Sequence, residues 1–291
     1  MDKIKRDQWL DKSLNVLLEV FAKDEAIKNI LTFKGARILR YYLGDKSRFS
    51  MDIDSSLSFN FVSTHKIKAE QVAFLENAFS SALSKYFLSQ DIIKYKLGNL
   101  KIKANPPEKE HPYGWDGFKV TINLLDVALQ SVRGIPRIEI DIAYPEKLTE
   151  HSIKRIEIIK DCYIKAYSLE RIAGEKPRAF LSTLPAYFKK MGKTSRSVRA
   201  KDLYDIAKIL EVRNIDNREF WLTAGNEFRE ACKSRYIDCE GIKTFTENVN
   251  ITELTYRKDP TIPKDVSFMK AWESLEIIVR FWESNRILPL G

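Results

Sequence analysis

Cysteine is scarce in this chain, and Cys162, Cys232 and Cys239 are odd in number, widely spaced and without a Cys-x-x-Cys pair. That pattern supports neither a disulfide framework nor a zinc site. The three histidines, His65, His111 and His151, stand in unrelated contexts and do not improve the case for a metal. No apolar run approaches the ~20 residues that a membrane helix needs. The start, Met1-Asp2-Lys3-Ile4-Lys5-Arg6, lacks the apolar core of a signal peptide, so the expectation is a cytoplasmic protein with no membrane partner. Repeats and low-complexity tracts are absent too. Acidic residues are missing from Lys176 to Lys201, where Lys176, Arg178, Lys189, Lys190, Lys193, Arg196, Arg199 and Lys201 are all basic.

What is present is a folded, basic chain. The 291 residues are 44% hydrophobic and carry a net charge of +9, from 49 basic and 40 acidic side chains. This length suits two domains of roughly 150 residues each. The charge suits an anionic partner, and the acid-free stretch reads either as a solvated helix face or as a surface for triphosphate or an RNA backbone.

Lys34-Gly35-Ala36-Arg37, followed by Ser50-Met51-Asp52-Ile53-Asp54, carries the most chemical information. Residues i and i+2 of a strand share a face, so Asp52 and Asp54 point the same way. At ~5 Å and an effective dielectric of ~20 they repel by roughly 3 kcal/mol, a cost that a divalent cation removes. Mg²⁺ prefers one or two carboxylates plus phosphate oxygens, which makes nucleotide chemistry the natural use of the pair. Alone, an Asp-x-Asp is as easily a solvated turn.

Leu10, Leu14, Leu17, Leu18 and Phe21 recur at helical spacing, which predicts a first helix over about 7–23. A strand at 30–33, a helix from Gly35 to about Tyr42, a strand at 49–61 and a helix at 68–88 follow. Asn105-Pro106-Pro107 through Gly117 reads as loop. Strands are expected at 118–124, 137–142 and 156–166, giving a mixed or antiparallel sheet. Beyond Ser168, a candidate cap with Glu170 in the first turn, helices are expected at 168–190 (interrupted), 200–212, 216–233, 240–249 and 265–284. The fold class is therefore α+β, with domains at 1–166 and 167–291.

Five segments occur in order: Phe33-Lys34-Gly35-Ala36-Arg37-Ile38-Leu39-Arg40, Arg48-Phe49-Ser50-Met51-Asp52-Ile53-Asp54, Ile138-Glu139-Ile140-Asp141-Ile142, Glu175-Lys176 and Lys201-Asp202-Leu203-Tyr204-Asp205. Over roughly residues 30–212 this set resembles the AbiEii/AbiGii-type nucleotidyltransferases, the toxin side of bacterial abortive-infection toxin–antitoxin systems. The resemblance implies a DNA polymerase β-like nucleotidyltransferase core, a mixed sheet with flanking helices, followed by a helical domain. It makes Asp52, Asp54 and Asp141 metal ligands for Mg²⁺, in a two-metal site that Mn²⁺ can also fill, with the general base at Asp141. Gly35 lets backbone amides approach phosphate, with Lys34, Arg37, Arg48 and Ser50 around the nucleotide. Lys176 matches the family lysine that neutralises triphosphate, and Asp202 or Asp205 its last acidic motif. The activity implied is transfer of a nucleoside monophosphate from an NTP to an acceptor such as tRNA or another RNA, with a winged-helix antitoxin as partner. Arg178, Lys193, Arg196 and Arg199 are the candidate nucleic-acid contacts.

Two departures from the family pattern keep other readings open. Ala36 and Arg37 stand where a glycine or serine and a small hydroxyl residue are usual, so Arg37 either contacts phosphate or blocks the pocket. Pro177 follows Lys176 directly, which with Gly174 predicts a break or kink in the helix there. A nucleotide-binding relative with altered catalysis is one alternative. An RNA-binding module using 176–201 with Tyr187 and Phe188 is another.

Overall fold

The structure is a computed structural model that describes residues 2–107, 111, 113–129, 132, 134–192 and 197–290. Contacts divide it into two units, the first comprising Met1–Ile38, Phe49–Glu146 and Arg155–Ala166. The predicted apolar stripe builds α1 (Lys3–Lys23), whose Asp2 cap accepts from the Lys5 amide. Then come α2 (Glu25–Ile30), β1 (Leu31–Lys34), α3 (Gly35–Leu43), β2 (Asp52–Leu57), α4 (Phe59–Thr64) and α5 (Lys68–Leu88). Strands β3 (Tyr95–Asn105), β4 (Gly117–Asp126), β5 (Ile138–Ala143), β6 (Ile153–Ile159) and β7 (Cys162–Tyr167) complete a seven-stranded sheet in the order β3-β4-β5-β2-β1-β7-β6. Strands β1 and β2 are antiparallel, while β2 runs parallel to β5. The expected α+β class with a mixed sheet is what forms.

Period-two alternation divides the sheet into two chemically distinct faces. Phe33, Ile53, Ile140, Ile142, Val120 and Ile122 are buried on one face. There Phe33 stacks on Phe21 of α1 at 5.8 Å, and Phe21 meets Phe79 of α5 edge-on at 5.1 Å. Each large apolar side chain buried in this way contributes about 1.5–3 kcal/mol. The intervening residues, among them Asp52, Asp54, Glu139 and Asp141, take the other face.

The second unit comprises Leu39–Arg48, Lys147–Lys154 and Tyr167–Gly291. Two excursions join its helices through hydrogen bonds: the Tyr42 hydroxyl donates to the Tyr167 carbonyl at 2.9 Å, and the Ser168 amide to the Ser152 carbonyl at 2.8 Å. Its helices are α6 (Leu169–Leu181), α7 (Pro185–Lys190), α8 (Lys201–Val212), α9 (Arg218–Ser234), α10 (Ile242–Phe245), α11 (Val249–Lys258) and α12 (Phe268–Ser284). Ser168 caps α6 as predicted, accepting from the Arg171 amide.

Several elements differ from expectation. The break predicted at Lys176 does not occur, because α6 continues through Pro177. A proline inside a helix costs about 3 kcal/mol. Here it is offset by burial of Ile172, Ala173, Phe180 and Leu181 and by close packing on α9. Gly174 makes that approach possible, since a Cβ there would lie 2.5 Å from the Phe228 amide nitrogen. The strand expected at 156–166 is the β6–β7 hairpin, turned at Asp161 with φ of 62°. The strand expected at 49–61 is confined to β2, with α4 after it. Four elements, α2, α4, β3 and α11, had no sequence counterpart.

Candidate active site

The β1–α3 junction sets the site's geometry. Register pairs Lys34 with Asp54, and the chain turns at Gly35 with φ of +80° into α3. A side chain at position 35 would be strained by that φ and would collide with the Asp54 carboxylate, so glycine is required on two counts. On the far side of β2, Asp54 pairs with Asp141 and Asp52 with Glu139. Parallel pairing brings residues almost ninety positions apart onto one surface. Oxygens of Asp52, Asp54 and Asp141 all lie within 4.8 Å of one another. Ser50 is buried just ahead of β2 and donates its hydroxyl to Asp52 Oδ1 at 3.0 Å, which orients that carboxylate.

Burial and neighbouring charge both act on Asp141. Desolvation raises its carboxyl above the usual range; Lys119 opposes this, while Asp52 and Glu139 push the value up further. Lys119 Nζ lies 2.8 Å from Glu139 Oε2, and these carboxylates in turn raise the lysine. Three hard oxygen donors that repel one another could hold a divalent metal ion.

Lys176, Asp202, Asp205, Arg48 and Arg199 assemble in the second unit. Lys176 Nζ lies 3.0 Å from Asp202 Oδ1 and 2.5 Å from Asp205 Oδ2, and Lys176 is only 5% exposed. Arg48 grips Asp205 with Nε and a terminal nitrogen at 3.0 and 3.1 Å. Arg199 Nε meets Asp202 Oδ2 at 2.6 Å. Burial works against ionisation of Asp202, yet Arg199 and Lys176 hold its carboxyl well below the ordinary value. Burial also opposes the charge on Lys176, and Asp202 and Asp205 outweigh it and raise the ammonium.

Other expected contacts fall elsewhere. Arg37 neither reaches out to phosphate nor fills a pocket. It is buried, donating to Asp11 Oδ1 at 2.7 Å, Asn15 Oδ1 at 3.1 Å and the Ser50 carbonyl at 3.0 Å, and so ties α1 to the segment entering β2. Its guanidinium is committed to internal acceptors. Lys34 lies 3.7 Å from Glu146. Of the nucleic-acid candidates, Arg178 pairs with Glu175 and Arg199 with Asp202, while Lys193 and Arg196 lie outside the described residues. Sequence reasoning missed Lys119 and Glu139, whose signal was the polar phase of strands recognised only by their apolar phase.

Residues 16–275 match the family model described as nucleotidyl transferase AbiEii toxin, type IV TA system. JHP933 from Helicobacter pylori has a similar structure, with 15% identity and a TM-score of 0.52 over 94% of this chain and 93% of that one. MenT4, a nucleotidyltransferase toxin from Mycobacterium tuberculosis, aligns with 14% identity and a TM-score of 0.51 over 97% of this chain and 87% of that one. At such identities the likeness is one of fold. No curated protein matches the chain. Among the described residues no helix is long and apolar enough to cross a membrane.

Proposed function

Because the chain belongs to the AbiEii nucleotidyltransferase toxin family, we propose that its carboxylate face transfers a nucleoside monophosphate from an NTP to the hydroxyl of an RNA, tRNA being the first to test. The observation that carries this reading is the convergence of Asp52, Asp54 and Asp141 beside the Gly35 turn. Asp52, Asp54 and Asp141 would hold Mg²⁺, and divalent cations bound there neutralise the polyphosphate and stabilise charge on the attacking and leaving oxygens. In the transfer, the acceptor oxygen bonds to the α-phosphorus as the bond to pyrophosphate breaks. The hydroxyl proton would pass to Asp141, the carboxylate in the position of the general base. Ser50 keeps Asp52 in its ligating orientation, and the open backbone at Gly35 admits the phosphates. Within the second unit, Lys176, Arg48 and Arg199 are held by Asp202 and Asp205.

We further propose, from membership of a toxin–antitoxin family, that a winged-helix antitoxin encoded beside it counteracts the chain. The test is incubation with each α-labelled NTP, Mg²⁺ and total bacterial RNA, with γ-labelled NTP in parallel. Label entering RNA from the α but not the γ position is the expected result. RNA unlabelled by every nucleotide would remove the reading.

A further inference from the structure

Strand register extends the carboxylate face from β1 across β2, β5 and β4 to the β3 edge of the sheet. Lys34, Asp54, Asp141, Lys119 and Lys103 are successive partners on β1, β2, β5, β4 and β3. The neighbouring row runs Asp52, Glu139, Thr121 and Lys101. Paired residues share a face, so Lys101, Lys103 and Lys119 stand on the surface that carries the acids. All three are exposed, and among the described residues Lys101 and Lys103 pair with no carboxylate. No acid occurs between Asp91 and Glu108, whereas Lys94, Lys96, Lys101 and Lys103 lie in that interval.

Lysines on an edge strand also guard against strand-to-strand aggregation. That account covers β3, but not Lys119, which sits on β4 between two paired strands. The geometry of the reaction supplies another. Displacement at phosphorus places the attacking and leaving oxygens on opposite sides. The Gly35 turn lies on the β1 side of the carboxylates, so pyrophosphate leaves there and the acceptor hydroxyl arrives over β5. The strands beyond β5 are β4 and β3, and strands in a sheet are spaced about 4.8 Å apart. Lys119 is therefore one strand from Asp141 and Lys103 two.

We infer that Lys101, Lys103 and Lys119 form a platform that binds the phosphodiester backbone of a single-stranded acceptor and delivers its terminal hydroxyl to Asp141. Glu139 positions Lys119, holding the ammonium beside the carboxylates rather than among them. The inference rests on the transferase reading for its direction, and binding can be measured without turnover. The platform reads phosphate, a chemistry that RNA and DNA strands share.

The experiment uses full-length protein and 5′-labelled single-stranded RNA and DNA of one sequence, with anisotropy read over a salt series. In K101A/K103A/K119A, affinity for the strand falls about tenfold or more at low salt. The slope of log affinity against log salt flattens by about 2, because each phosphate neutralised on a single strand accounts for roughly 0.7 of it. The triple arginine variant restores both. The KM for the acceptor rises in transfer assays while the KM for NTP holds, and the strand that is extended identifies the source. Unchanged affinity and slope in the alanine variant, or equal losses toward NTP and strand, would overturn the inference. Failure of the wild type to transfer label would instead sink the transferase reading, leaving the binding result to decide on the platform.

Discussion

Replacing Gly35 by alanine separates the site's needs from those of the fold. The residue sits at φ of +80°, and an added Cβ would lie 2.8 Å from Asp54 Cγ and 3.0 Å from Asp54 Cβ. An L-residue in the left-handed region costs about 1–2 kcal/mol. At about 2–4 °C per kcal/mol for a chain of this size class, the expected fall in Tm is about 2–8 °C. The collision is with a side chain, so Asp54 yields by moving. A displacement near 1 Å at a reacting centre costs about a hundredfold in rate. Gly44 is the control: its φ is +59° and nothing lies within 4 Å of an added Cβ. Gly44→Ala should lose similar stability and keep its activity. The assay pairs thermal unfolding with initial rates of label transfer for both variants. If Gly35→Ala were no slower than Gly44→Ala, Asp54 would not be the constraint that fixes glycine at this turn.

Asp141→Asn should raise Tm at neutral pH in metal-free buffer. A carboxyl raised in the folded state destabilises it above that raised pKa and contributes nothing below the unfolded value, so the gain should vanish as pH falls through the carboxylate range. Unfolding followed by calorimetry across pH checks this, and a gain that persisted in acid would contradict it. Lys176→Met should destabilise by about 3 kcal/mol, the lower end for breaking a buried pair, because Asp202 keeps Arg199 and Asp205 keeps Arg48. Urea denaturation measures it, and a neutral effect would mean the cluster tolerates loss of its central cation. Since the Asp202 carboxyl is held low, the wild type's advantage from this cluster should be lost only as pH drops below the ordinary aspartate value.

Much of the site was legible because its residues lie on elements with clean periodicity. Ile138, Ile140 and Ile142 turned Asp141 to the opposite face of β5, and Asp52 and Asp54 followed from Ile53. Which strands would be neighbours was not legible, since pairing across almost ninety residues depends on the whole sheet. Strand β3 escaped notice because Gly98 shifts its register between Leu97 and Asn99, breaking the alternation that identifies a strand. Without β3 the lysine face could not be assembled. Arg37 read as a phosphate contact or a block to the pocket because sequence does not reveal that Asp11 and Asn15, one helical turn apart on α1, lie within its reach. Pro177 looked like a helix breaker because local propensity takes no account of the packing of α6 on α9.

The central claim is that Asp52, Asp54 and Asp141 form one metal centre, and its most direct test is Mn²⁺ titration followed by the loss of the free-ion EPR signal. The wild type, with and without NTP, should bind Mn²⁺. Asp52→Asn, Asp54→Asn and Asp141→Asn should each weaken binding while remaining folded by circular dichroism. Folded variants that bind Mn²⁺ as tightly as the wild type would contradict it.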